Sequence, residues 1–182
     1  MHIFLTGEIQ VGKSTVIAKT LALLNIIPGG FKTYFDSDRE CPDKSLYMSS
    51  AVGPKLFRKE NAVAHFSEGQ PPQVLTEKFD IYGIELIRSA KMNSNLIMMD
   101  ECGSLERNAL LFQEEIMDTL DGSIPVLGVI KQGSRGWTDR IRNHPNVKLI
   151  TVTEENKDGL PENIFYLFAR MIERVEPTSA HC

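Results

Sequence analysis

The stretch GEIQVGKST, Gly7 to Thr15, follows the short apolar run HIFL at residues 2–5. It fits the pattern G-x-x-x-x-G-K-[ST] without a mismatch, and that pattern has a physical reading. Gly7 lets the chain leave a strand sharply, and Gly12 has no side chain to keep the backbone from a phosphate oxygen. The N–H groups of Glu8, Ile9, Gln10, Val11 and Gly12, with those of a helix opening at Lys13, aim positive dipole at one anion. Lys13 is placed for β- and γ-phosphates, the Ser14 hydroxyl for Mg2+, and Thr15 for an α-phosphate. A match of this kind arises by chance in on the order of 1% of chains of this length. The strand-like run before it and the helical spacing of Val16, Ile17, Leu21 and Leu24 after it supply the expected context.

Outward from this loop, apolar runs and helical stretches alternate. IPGG at 27–30 is a break, and residues 31–35 and 45–52 read as two strands around the polar turn DSDRECPDK, a hairpin. NAVAHFS at 61–67 reads as a third short strand. Residues 74–91 read as a helix with Leu75, Phe79, Tyr82, Leu86 and Ile87 on one face. NLIMMDE at 95–101 and IPVLGVIK at 124–131 are continuously apolar, as suits strands covered on both sides of a parallel sheet. Helices are expected at 105–121, 135–145 and 161–175, and a last strand at 147–153. The alternation predicts an α/β fold with a mostly parallel central sheet, and ligands then sit beyond the carboxyl ends of its strands. Residues 1–176 are expected to form one domain, with 177–182 a flexible tail.

Two acids, Asp100 and Glu101, end the run at 96–99. A carboxylate at the tip of a buried strand is where Mg2+ finds an acidic anchor, so Asp100 is a metal candidate beside Ser14. Glu101 is placed to polarise an attacking water. Glu106 either caps the following helix or reaches the site. Cys102 is read as a small apolar filler. Lys131, Arg135, Arg140 and Arg142 follow the next strand, and Lys131 and Arg135 are taken as the candidates for neutralising charge on a transferring phosphoryl group. KQGSRGW reads as a Gly-rich flap. ENKD at 155–158 has the wrong spacing for the guanine-reading N-K-x-D, although Asn156 lies where a base-contacting loop is expected. Trp137 either stacks on a base or packs in the core. His65 and His144 show no metal-ligand spacing.

The chain of 182 residues has 42% hydrophobic and 24% charged residues and a net charge of -4. Bulk charge therefore offers no argument for nucleic acid or an anionic membrane as partner, leaving only a local basic patch as a route to either. No apolar run approaches the ~18–20 residues that span a bilayer. The start MHIFLTGE lacks a secretory n-region, and Cys41, Cys102 and Cys182 are odd in number and scattered. A reducing, cytoplasmic setting is expected.

HIFLTGEIQVGKST, GGF at 29–31, LIMMDECGSLE at 96–106, PVLGVI at 125–130 and VTEENKDGLPENI at 152–164 together resemble the THEP1-type nucleoside-triphosphatases, also called the cancer-related nucleoside-triphosphatase family. The segments occur in that family's order and cover most of the chain. The resemblance implies a three-layer P-loop NTPase fold, with a small β-hairpin insertion near 31–67. It implies hydrolysis of ATP, GTP or other nucleoside triphosphates to diphosphates, with Mg2+ and broad base tolerance. Gly7, Gly12, Lys13, Ser14 and Thr15 match the family's phosphate loop, Asp100 and Glu101 its metal-anchoring and water-activating acids, and Asn156-Lys157 its late polar loop, where Asn-Arg is more usual. The chain departs from the family at EIQV, where a Pro-Gly pair is common, at KTYFDSDRE, where YTEE is usual, and at Lys131-Gln132, where a basic pair is expected. Two other readings stand beside hydrolysis: a kinase whose 31–70 insertion holds a small acceptor, and a switch that binds nucleotide without turnover.

Overall fold

The computed structural model describes residues 1–37 and 40–173. Eight strands form one sheet: β1 His2–Thr6, β2 Gly29–Phe35, β3 Lys44–Ser50, β4 Ala62–Phe66, β5 Gln73–Val74, β6 Ile97–Cys102, β7 Val126–Ile130 and β8 Val147–Thr151. Their order across the sheet is β5-β4-β3-β2-β6-β7-β1-β8. The strands β2, β6, β7, β1 and β8 are parallel, and β3, β4 and β5 add on in antiparallel pairs.

The helices are α1 Lys13–Leu24, α2 Thr76–Lys78, α3 Ile84–Asn93, α4 Leu110–Asp121, α5 Trp137–Arg142 and α6 Leu160–Glu173. Alternation along the buried strands decides their sides. Ile3 and Leu5 of β1, with Leu96 and Met98, face α1 and α6 through Val16, Ile17, Ile164 and Phe168. Phe4, Ile97 and Met99 point the other way, toward Ile87 of α3, Phe112 and Ile116 of α4, and Ile141 of α5. Three layers result, and the core strands are apolar on both faces for that reason. Among the described residues no helix is long and apolar enough to cross a membrane.

Most of the expected elements form close to where the periodicity places them. Several details differ, among them a short strand at Gln73–Val74 where none is expected and the start of β2 at Gly29, inside the expected break at 27–30. The hairpin is no appendage, because β2 pairs with β6 on one side and β3 on the other, so the insertion extends the main sheet. The helix expected over 74–91 contains a π segment, Phe79–Gly83, between α2 and α3. The helix expected over 105–121 is interrupted: Leu105–Asn108 is a 3-10 turn, and Ala109 at φ -84°, ψ 74° separates it from α4. Glu106 accounts for that break, since its carboxylate turns back to accept the Gly103 N–H at 2.7 Å. Asp80, in the π segment, accepts the Phe112 N–H at 2.9 Å and so caps the first turn of α4. The tail 177–182 lies outside the described residues.

Candidate active site

The phosphate loop sits at the carboxyl end of β1. Gly7 has φ +140°, and a Cβ there would lie 2.5 Å from the Val152 carbonyl oxygen. Only glycine fits, because β8 runs tight against the loop. Gln10 and Gly12 also have positive φ, which curls the loop back on itself. The first helical bond of α1 is Val16 N–H to Gly12 O at 3.0 Å. Lys13, Ser14 and Thr15 thus keep N–H groups with no intrahelical acceptor, the end of a helix that attracts anions. Lys13 Nζ donates to Gly7 O at 2.9 Å and to Glu8 O at 2.6 Å, so the loop itself holds the ammonium over its mouth. Ser14 and Thr15 are exposed, as are Glu8, Ile9 and Gln10 at the crest, and Val11 is buried.

Asp100 and Glu101 lie near the carboxyl end of β6, which is separated from β1 by β7 alone. At ~4.8 Å per strand, the acids stand about 10 Å from the phosphate-loop strand. Asp100 lies two residues beyond Met98, on the α1 side of the sheet. The peptide bond between the two acids is cis. Thr33 clamps this backbone: its hydroxyl donates to Asp100 O at 3.2 Å and accepts the Glu101 N–H at 3.4 Å. Lys32, its neighbour, is the register partner of Asp100 on β2. Neither Lys32 nor Thr33 was among the sequence candidates. FKT carries no motif, and only the β2–β6 register brings it to the acids.

Lys131 follows β7, the strand between those that carry the loop and the acids. Its N–H donates to Cys102 O at 2.9 Å. Its side chain lies along Gly103, with Cβ and Cδ 3.5 and 3.6 Å from where a Cβ on that glycine would be. Arg135 instead turns onto its own loop, donating to Gln132 O and Ser134 O at 3.2 and 3.1 Å. Arg142 staples the loop, reaching Ser134 O, Thr138 Oγ1, Asp139 Oδ1 and Lys131 O at 2.8–3.0 Å. Arg140 pairs with Glu114 on α4 at 2.9 Å. Trp137 is core: it is buried, and its indole N–H donates to Gly103 O at 2.7 Å.

Glu106 is only 3% exposed. Burial pushes its carboxyl up to about 7; the Gly103 N–H and Lys131 pull it down, and Glu101 pushes it further up. Cys102 is fully buried, and burial with the carboxylates of Glu106, Glu101 and Asp100 raises its thiol well above the ordinary range. It stays a neutral filler.

On the far side of the phosphate loop, residues 152–159 form a polar turn. Asn156 Oδ1 accepts the Thr153 N–H and Nδ2 donates to Thr151 O, both at 2.9 Å, so its amide shapes the turn. Lys157 lies with its Cδ 3.7 Å from where a Cβ on Gly12 would be.

Ser14 and Asp100 would offer a hydroxyl and a carboxylate, the oxygen donors that a hard cation such as Mg2+ takes.

A family model described as NTPase matches residues 2–165. The nucleoside-triphosphatase THEP1 of Thermofilum pendens is 28% identical over 183 residues, covering 95% of this chain and 98% of that protein. The THEP1 of Methanosarcina barkeri is 29% identical over 176 residues, covering 94% and 99%. Among solved structures, THEP1 from Aquifex aeolicus superposes with a TM-score of 0.72 at 24% identity, covering 92% of this chain and 98% of that one. The human cancer-related nucleoside triphosphatase superposes at 0.62 with 23% identity, covering 97% and 99%. At those identities the two structures speak for the fold. The family match, spanning nearly the whole described chain, means that this protein belongs to the NTPase family and is a nucleoside-triphosphatase.

Proposed function

We propose that the protein hydrolyses nucleoside 5'-triphosphates to diphosphate and phosphate with Mg2+ and little preference among bases. The observation that carries this is the row of groups at the carboxyl ends of three adjacent strands: the phosphate loop on β1, Lys131 after β7, and Asp100-Glu101 on β6.

In this reading residues 7–15 hold the phosphates, with Lys13 neutralising the β- and γ-oxygens. Ser14 and Asp100 would hold Mg2+, which would supply charge stabilisation there when bound. Glu101, its backbone fixed by Thr33, orients water in line with the γ-phosphorus and takes its proton. Lys131 places a cation beside the same phosphoryl group, and Arg135 swings from its own loop to assist. Asn156 shapes the turn against which the base rests. Its amide is engaged with backbone and does not read a base edge, which supports broad base tolerance. Strands from both halves of residues 1–176 supply the site, so that span works as one domain. Free thiols at exposed Cys41 and buried Cys102 suit a reducing cytoplasm.

Glu101→Gln tests the proposal. Phosphate release from ATP, GTP, CTP and UTP should fall by roughly 10²–10⁴ while triphosphate binding persists. Turnover at the wild-type rate would remove Glu101 as the base.

A further inference from the structure

The face of the sheet that carries Asp100 continues onto the insertion. Lys32 is the register partner of Asp100, and Tyr34, two residues on, points to the same side, ~7 Å farther along the strand. Tyr47 is the partner of Tyr34 on β3, and the two rings stack with centroids 6.3 Å apart at 14°. Residues 51–61 fold over this face. Tyr34 Oη donates to Leu56 O at 2.9 Å and accepts the Leu56 N–H at 2.6 Å. Asn61 Nδ2 donates to Met48 O and Leu56 O, and Lys32 Nζ donates to Gly53 O.

This bracing fixes Phe57. Its ring stands edge-on to Tyr34 and Tyr47, at 5.6 and 5.4 Å, yet the residue remains 54% exposed. Lys55, Arg58 and Lys59 around it are also exposed, and Lys55 Nζ lies 5.4 Å from the Tyr34 ring centroid. Among the described residues, none of these three cations has a carboxylate partner. A loop that merely closed the sheet would turn its phenyl ring inward and scatter its charge. Here a chain of net charge -4 gathers Lys55, Arg58 and Lys59 within five residues around a ring left 54% exposed, with the exposed Glu60 at the edge of the group.

We propose that residues 53–59 form a second ligand site, for a nucleobase that stacks on Phe57 and carries a phosphate held by Lys55 and Arg58. Stacking on an aromatic face and cationic contact to phosphate are the two ways a protein takes a nucleotide without reading its sequence. The ligand is a nucleoside monophosphate or the end of a single strand, which share this chemistry. The site lies beyond Asp100, on the side of the acids away from the phosphate loop. The proposal rests on the functional reading only in taking residues 7–15 as the triphosphate site.

The test titrates AMP, GMP, CMP, UMP and a short oligothymidylate into protein saturated with a non-hydrolysable triphosphate analogue and Mg2+, by calorimetry. Saturable binding of either ligand class, one per chain, is expected, and which class binds identifies the source. Phe57→Leu should weaken it about tenfold and Phe57→Trp should restore it, with both variants melting near wild type. Arg58→Gln should weaken it and flatten its salt dependence. Lys13→Ala without triphosphate should retain it, which separates this site from the phosphate loop. No saturable binding into the millimolar range, equal affinity in Phe57→Leu, or loss in Lys13→Ala would each overturn the proposal. None of these results bears on triphosphate hydrolysis, which Glu101→Gln tests separately.

Discussion

The indole N–H of Trp137 donates to the Gly103 carbonyl at 2.7 Å, tying the loop that carries Lys131 to the segment that carries Asp100 and Glu101. Trp137→Phe keeps an apolar ring but strands a buried carbonyl and opens space beside it. Stability should fall by about 2–4 kcal/mol, read as a shift in urea midpoint at constant slope. Turnover should fall further than triphosphate affinity, because Lys131 loses its register against Gly103.

Gly7→Ala places a methyl carbon 2.5 Å from Val152 O in a backbone held at φ +140°. The loop must move, at a cost of about 1–3 kcal/mol, and its N–H groups leave their common focus. Triphosphate affinity should drop sharply by calorimetry. Gly133→Ala is the control: a Cβ there meets nothing within 4 Å, and its melting temperature should match wild type.

Lys13→Ala should weaken triphosphate binding by about 10- to 100-fold, the value of a charge-assisted hydrogen bond. Its folding should change little, since the ammonium donates to carbonyls of the loop itself, Gly7 O at 2.9 Å and Glu8 O at 2.6 Å, and not to the core. Unchanged affinity would remove the phosphate-loop assignment.

Glu106 sets a pH dependence. Its carboxyl is raised from 4.5 to about 7, so the folded chain holds that proton more tightly than the unfolded chain. Its contribution to stability is complete below pH 4.5 and is lost as pH rises through about 7. His2 acts in the opposite sense. Burial, with the N-terminal ammonium, lowers its imidazole from 6.5 to about 4, so its contribution is present above 6.5 and lost as pH falls. Glu106→Gln keeps an acceptor for the Gly103 N–H without the titration. Relative to wild type it should gain stability as pH rises from 4.5 to 7, by at most ~1.4 kcal/mol per pH unit. Urea unfolding of both proteins across that range checks it, and a constant difference would disprove it.

The amino-acid sequence alone determined the strand–loop–helix at 2–24 and the acid-tipped strand, because those features are local. Turn glycines, a buried run of four apolar residues and helical spacing each act within a few residues. It also carried the family pattern, whose segments keep their order along the chain. Only the tertiary structure decided that β7, which Lys131 follows, lies between β1 and β6, and turned Arg142 into a staple. Lys32 and Thr33 reach the acids through register with a strand more than sixty residues away. Phe57 becomes an exposed platform because Tyr34 and Tyr47 meet across a hairpin. Strand order and register depend on which surfaces bury one another across the whole chain, and no short window of sequence holds that information.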